Sequence, residues 1–351
     1  MWPLAPTDPA LPVQGGMDAL SVLAPRRIGV VRFGRIGDML LLTPTLRALR
    51  QRFPAARIEV ATHAACVPVL KRSPDIDIIH PVAGWFATAR ALRGVDLVVD
   101  AQRTDASALA AWASGAPVRL GWRTSRWHDA LLSHVVDPQR SYSAHFQASV
   151  LRSVGVGEVD LDLALDPGDS ARAAAEAAFP GEARRIALAP GASVVTRTWP
   201  EARWVALAQA LGARGWEVIV VWGPGEQPLA QRVAAGSGAR LAGPTSILEL
   251  AATIARCRVF VGNCSGPRHI AVSQRVPTLV MHGATAVGAW TRPSAWHRAL
   301  WTDEPCRPCN QPRCPIAVRC LTRVEVEPAV AIVEALALLG PEPPLRVRIR
   351  P

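Results

Sequence analysis

Short runs of aliphatic and β-branched residues alternate along the chain with stretches whose apolar positions recur every three or four residues. The runs "IGVVRF" from Ile28, "RIEVAT" from Arg57, "IDIIHPV" from Ile76 and "DLVVDA" from Asp96 are dense in such residues. Near-continuous runs of this length predict parallel strands covered on both faces. Between the first two, "DMLLLTPTLRALRQRF" from Asp38 has the helical period of an element packed on a sheet. The polar, glycine-bearing stretch from Ser153 to Ser170 interrupts the series, and then it resumes. "RRIALAP", "WEVIVVWG", "RVFVGN" and "VPTLVMHG" predict strands; "PEARWVALAQALGARG", "QPLAQRVAAGSG" and "SILELAATIARC" predict helices.

The pattern predicts an α/β protein with two doubly wound, Rossmann-like domains facing a central cleft, residues 26–165 and 166–339. Residues 1–25, rich in proline and glycine, are expected to be a disordered extension, with Met17 as an alternative start to Met1. Residues 340–351, after the last helical stretch, are expected to form a tail. No run approaches the roughly 18 apolar residues of a membrane span. The N-terminus also lacks the basic start and unbroken apolar core of a secretory signal, so a cytoplasmic location is expected.

A net charge of +11 favours acidic partners: phosphorylated ligands, nucleic acid or an anionic membrane surface. All basic residues but Lys71 are arginine, a bias that genome composition can also produce. Seven cysteines without an export signal read as reduced thiols. Four of them, Cys306, Cys309, Cys314 and Cys320, are spaced Cys-x2-Cys-x4-Cys-x5-Cys. Four thiolates are a zinc or iron ligand set, but these intervals are short for a zinc knuckle. The expectation is a packed loop of thiols with no metal.

Candidate chemistry gathers at the ends of the strands. "RFGRIGD" places Gly37 and Asp38 at a strand-to-helix turn. A third glycine would make this a dinucleotide fingerprint, but Asp38 stands there instead. An acid at this position either caps the helix or takes a proton from a substrate hydroxyl. In "PGASVVTRTWPEARW", Ser193, Thr196 and Arg197 suit a diphosphate through small donors and a guanidinium. The turns Asn263–Cys264–Ser265–Gly266 and Gly283–Ala284–Thr285 suit a nucleotide's phosphates, with His269 on the adjoining helix. Glu226, in "WGPGEQPLA", suits ribose hydroxyls.

Together these segments resemble the bacterial heptosyltransferase family from about Arg26 to Ala335, most closely in "RFGRIGDMLLLTPTLRALRQRFP", "PGASVVTRTWPEARW" and "VGNCSGPRHIAVSQRVPTLVMHGAT". The resemblance implies the GT-B architecture. It also implies metal-independent, inverting transfer of heptose from ADP-heptose to a lipopolysaccharide core or related glycan. No cofactor is required beyond the nucleotide-sugar donor, and no nucleic acid takes part. By the same resemblance Asp38 matches the general base and Glu226 the ribose-binding acid. Ser265, Gly266 and His269 match the phosphate loop, and Arg197 stands where a lysine is usual. Two departures stand out. Cys264 replaces an acid, and "GATAV" lacks two prolines, with Ala284 and Val287 in their places. These leave two other readings open, a catalytically silent sugar-nucleotide or glycan-binding subunit and a GT-B sugar-nucleotide epimerase.

Overall fold

The computed structural model describes residues 20, 22–138 and 141–349. Six parallel strands form the first sheet: β1 (Arg27–Val31), β2 (Arg57–Thr62), β3 (Ile78–Pro81), β4 (Leu97–Asp100), β5 (Val118–Trp122) and β6 (His134–Val136). After a short β7 (Glu158–Asp160), six more form the second: β8 (Arg185–Ala189), β9 (Glu217–Val220), β10 (Arg240–Leu241), β11 (Val259–Asn263), β12 (Thr278–Met281) and β13 (His297–Leu300). A last strand, β14 (Arg346–Arg348), pairs with β7.

The sheets share one topology. The first runs β3-β2-β1-β4-β5-β6 and the second β10-β9-β8-β11-β12-β13. In each, strand order reverses beside the first strand, and the loops leaving the two central strands diverge to open a crevice at their carboxyl ends. The turn carrying Asp38 leaves β1, the loop to Arg197 leaves β8, and the turn carrying Cys264 leaves β11. The central strands are almost wholly buried, which explains their unbroken apolar sequences. One apolar core includes Ile28, Leu46 and Val60 from the first half together with Phe260 and Ile270 from the second. The described residues include no helix long and apolar enough to cross a membrane.

Three expectations change. The amphipathic stretch from Asp38 is two helices, Ile36–Leu40 and Thr43–Arg52, because Pro44 in the first turn begins a new helix. The expected tail is not free. Its alternating "RVR" pairs antiparallel with β7, so chain that follows the second sheet returns to the connection between the two halves. Of the expected extension, residues 1–19 and 21 lie outside the described residues, as does the Met1 or Met17 alternative. Leu20 is described and is buried in the core.

Buried charge pins this return. Arg292 donates to Glu342 at 2.8 Å and to Asp162 at 2.6 Å, while His297 Nε2 lies 3.0 Å from the other Glu342 oxygen. Burial lowers the pKa of His297, so the neutral ring donates from Nε2 while Nδ1 accepts from the Thr278 hydroxyl, 3.0 Å away. Burial alone would raise the Glu342 pKa, but its His297 and Arg292 partners outweigh burial and pull it down to about 2. A depressed carboxylate pKa contributes stability that is fully present above the ordinary value of 4.5 and is lost as pH falls through about 2. Glu342→Gln should therefore unfold about 3 kcal/mol more easily at neutral pH, and the deficit should shrink steadily below pH 4.5. Denaturant titrations of parent and variant across that range check this.

Candidate active site

Helix Ile36–Leu40, after β1, and helix Gly266–Ser273, after β11, pack against each other across the crevice. Their contact is unusually close. A Cβ on Gly37 would stand 2.8 Å from Cδ2 of His269, so only glycine lets the two helices meet there. Beside this contact lies a cavity of about 320 Å³, within the usual range for small-molecule sites. Its walls bring together Gly37, Asp38, Ser193, Arg197, Glu226, Ser265, Gly266 and His269. A larger, open depression of about 860 Å³, around Asp166, Arg172 and Glu176, holds none of these residues.

Asp38 both helps to cap its helix and lines the cavity. One carboxylate oxygen accepts from the Arg35 backbone N–H at 3.2 Å, the reciprocal half of a capping arrangement. The other accepts from Arg32 at 2.8 Å, and Arg32 in turn donates to the Ala101 carbonyl at 2.6 Å. These bonds fix the rotamer while leaving the side chain partly open to the cavity. Across the cavity Arg197 makes no ion pair or side-chain hydrogen bond among the described residues. Arg35 contributes a second guanidinium and bridges the two halves through a 3.0 Å bond to the Ser193 hydroxyl. Two cations without carboxylate partners thus face the cavity, next to the free N–H groups at the start of helix Gly266–Ser273. This wall suits an anion with several oxygens.

Glu226 folds back over the β8 loop. Its carboxylate accepts from the Gly223 N–H at 2.9 Å, and a Cβ on Gly191 would lie only 2.1 Å from its carboxyl carbon. His269 is almost wholly buried, and its Nδ1 has no protein partner. Burial first, then the neighbouring charge of Arg268, holds its pKa well below the ordinary histidine value. It is a neutral ring on the cavity wall, with its Nδ1 sealed inside the protein.

Four expected phosphate contacts stand behind the wall. Asn263 accepts from the Trp199 N–H at 3.0 Å and donates to the Pro190 carbonyl at 2.7 Å, tying the β8 and β11 loops together. Thr196 donates to the Gln311 carbonyl at 2.7 Å, and the Gly283 carbonyl accepts from Arg307 at 2.8 Å. Thr285 donates to Cys264 Sγ at 3.2 Å. Their polar groups serve internal bonds, so they brace the cavity without lining it.

All seven cysteines are free thiols. Cys306, Cys309, Cys314 and Cys320 border one small gap with Thr196 and Ala284, and their loop bonds to the turns at Thr196, Gly283 and Ala284. Among the described residues no group of three or more His, Cys, Asp or Glu side chains is arranged to hold a metal ion.

Several site residues carry no signal in the sequence. Arg32 and Arg35 flank the glycine turn as ordinary basic residues, and nothing in their spacing marks one as partner of Asp38 and the other as a cavity cation. Trp222 and Trp290 supply apolar lining. Arg268, from the same motif as His269, is fully buried without a carboxylate partner. It donates to His282 Nε2 at 2.8 Å and to Cys264 Sγ at 3.7 Å. Burial first, and then Arg268, push His282 down to about 2, which leaves Nε2 free to accept.

Comparison with known proteins places these features in context. The family model described as glycosyltransferase family 9 (heptosyltransferase) matches residues 85–318, more than half of the chain. Lipopolysaccharide heptosyltransferase 3 of Escherichia coli is 28% identical over 275 residues, which cover 71% of this chain and 81% of that protein. A glycosyl transferase family 9 structure from Veillonella parvula superposes with a TM-score of 0.77 at 23% identity, covering 89% of this chain and 97% of the other. ADP-heptose lps heptosyltransferase II of E. coli gives 0.74 at 21% identity, with 89% and 98% covered. The structural likeness establishes the two-domain fold.

The Gly37–His269 contact yields a direct test. Gly37→Ala should overpack the interface between the two helices and destabilise the protein by about 1 to 3 kcal/mol, read as a lower urea midpoint. An unchanged midpoint would mean that the helices do not meet this closely.

Proposed function

The chain belongs to glycosyltransferase family 9 (heptosyltransferase), and from that premise we propose that it moves heptose from ADP-heptose to a lipopolysaccharide core or related glycan, with inversion. The observation that carries this reading is that a single cavity between the two sheets is lined by a positioned carboxylate, Asp38, and by two guanidinium groups without carboxylate partners, Arg197 and Arg35. Its relatives, lipopolysaccharide and ADP-heptose heptosyltransferases, suggest the sugar and acceptor class.

In the proposed reaction the acceptor hydroxyl lies against Asp38 and the donor diphosphate against Arg197, Arg35 and the turn Ser265–Gly266. Asp38 takes the hydroxyl proton as the acceptor oxygen bonds to the anomeric carbon from the face opposite the leaving group. The bond from that carbon to the β-phosphate oxygen breaks, and ADP leaves with its new charge on phosphate oxygens. The guanidinium groups and helix N–H donors oppose that charge. Arg32 acts as a positioning residue, because its bond holds the carboxylate rotamer against the helix turn. Glu226 faces the ribose hydroxyls, and the neutral His269 ring lines the same wall. The chemistry draws on side chains and donor alone, so no metal cofactor is needed. The protein works in the cytoplasm, at the cytoplasmic face of the inner membrane.

Asp38→Asn separates base from cap. Asparagine keeps an acceptor oxygen for the Arg35 N–H and loses only the charge facing Arg32, a partly exposed ion pair, so stability should fall by no more than about 1 kcal/mol. Heptose transfer should fall about 100-fold to 10,000-fold, with ADP affinity nearly kept. Transfer close to the parental rate would return Asp38 to a capping role. Prolonged chelation should leave the parental rate unchanged, and a loss restored by one added metal would overturn the metal-independent reading.

A further inference from the structure

Three consecutive helices, Gly84–Ala91, Asp105–Ala113 and Arg126–Leu131, pack side by side in one layer against the first sheet. Beneath them lies a small core that includes Val31, Leu92, Val98 and Ala111. Their outer positions are not those of an ordinary solvated face. Trp85 is 41% exposed, Phe86 68%, Trp112 55% and Trp127 78%. These are four of the eight large hydrophobic side chains exposed among the described residues, and every helix of the layer contributes at least one. Soluble surfaces seldom gather exposed aromatics in this way without a partner.

The charge on the same layer is mainly positive, with three exposed arginines that lack ion pairs against one exposed carboxylate, Asp105. Arg90, Arg93 and Arg126 are exposed and make no ion pair or side-chain hydrogen bond among the described residues. Every carboxylate between residues 84 and 131 is engaged within the protein. Asp96 accepts from the backbone at Arg26 and Arg27, and Asp100 is buried against His128 and Ser107. Asp105 accepts from the Ser125 hydroxyl, and Asp129 accepts from the Thr124 N–H. Trp85, Phe86 and Trp127 lie in the first turns of their helices. Those turns follow the carboxyl ends of β3 and β5, the same end of the sheet from which the Asp38 turn emerges.

We propose that this aromatic and arginine-bearing layer is the surface by which the protein docks on an anionic lipid bilayer, presenting the Asp38 side of its cavity to an acceptor held in that bilayer. The choice of a bilayer over a protein partner rests on charge and side-chain type. Tryptophan and phenylalanine beside unpaired arginines match the headgroup boundary, where amphipathic rings insert and cations meet phosphate. The acceptor clause rests on the proposed glycan transfer, whereas the docking surface itself does not.

Sedimentation with vesicles tests the surface. The full chain should sediment with phosphatidylglycerol–phosphatidylethanolamine vesicles, less so as salt rises, and little with pure phosphatidylcholine. Phe86→Ser with Trp127→Ser should weaken binding about tenfold. Arg90→Gln with Arg126→Gln should weaken it about fivefold for each charge removed. Each variant should melt as the parent does and should transfer sugar to a lipid-free core oligosaccharide at the parental rate. Variants that sediment like the parent, or a parent that ignores anionic vesicles, would overturn the proposal. A switch from dimer to monomer with vesicle binding unchanged would also overturn it and assign the face to a second copy of the chain. Loss of transfer to the soluble oligosaccharide in the parent, with patch-dependent sedimentation intact, would sink the reaction and leave the surface standing.

Discussion

The close approach of Gly37 to His269 is the constraint around which the molecule is arranged. Two sheets of the same topology each open a crevice at the ends of their central strands, and a single site requires those crevices to face each other. They do so because a helix from each crevice touches the other at a point with room for a hydrogen and none for a methyl group. The apolar core shared by both halves and the strand returning from β13 to β7 hold this approach from behind.

Around that contact the polar groups divide into two sets with different work. Asn263, Thr196 and Thr285 spend their hydrogen bonds on neighbouring loops, and the cysteine-bearing loop is tied to the same turns. Their satisfaction makes the wall rigid. Arg197 and Arg35 keep unspent hydrogen-bonding capacity at the cavity. Such a division suits a site that must be ordered before its ligand arrives, since donors fixed in advance need not reorganise when charge develops.

Cys264 stands where the resemblance leads one to expect an acid, and the structure gives that change a setting. Arg268 lies buried one helical turn away, and its neighbours are a thiol, a neutral imidazole and the Thr291 hydroxyl. A relay runs from Arg268 to His282, on to Thr285 and then to Cys264, with each group donating to the next. The guanidinium therefore stands behind the cavity-lining turn with no carboxylate in contact to offset it, which adds to the positive character of that wall.

The sequence by itself determined the α/β class, the duplicated plan and the strand ends that bear chemistry. Those follow from local rules, since hydrophobic period and turn residues are set by near neighbours. Eight of the expected residues meet at one cavity because strand-end turns in such sheets open into the crevice wherever they lie in the chain. Tertiary structure alone decided which polar residues face the cavity and which brace it, because Thr196 and Asn263 look like ligand contacts until their partners, far off in sequence, are in place. It also decided that Arg32 orients Asp38, that "RVR" is a strand, and that exposed tryptophans on three separate helices fall in one helical layer. Each of these depends on a partner many residues away, and no local period encodes that partner.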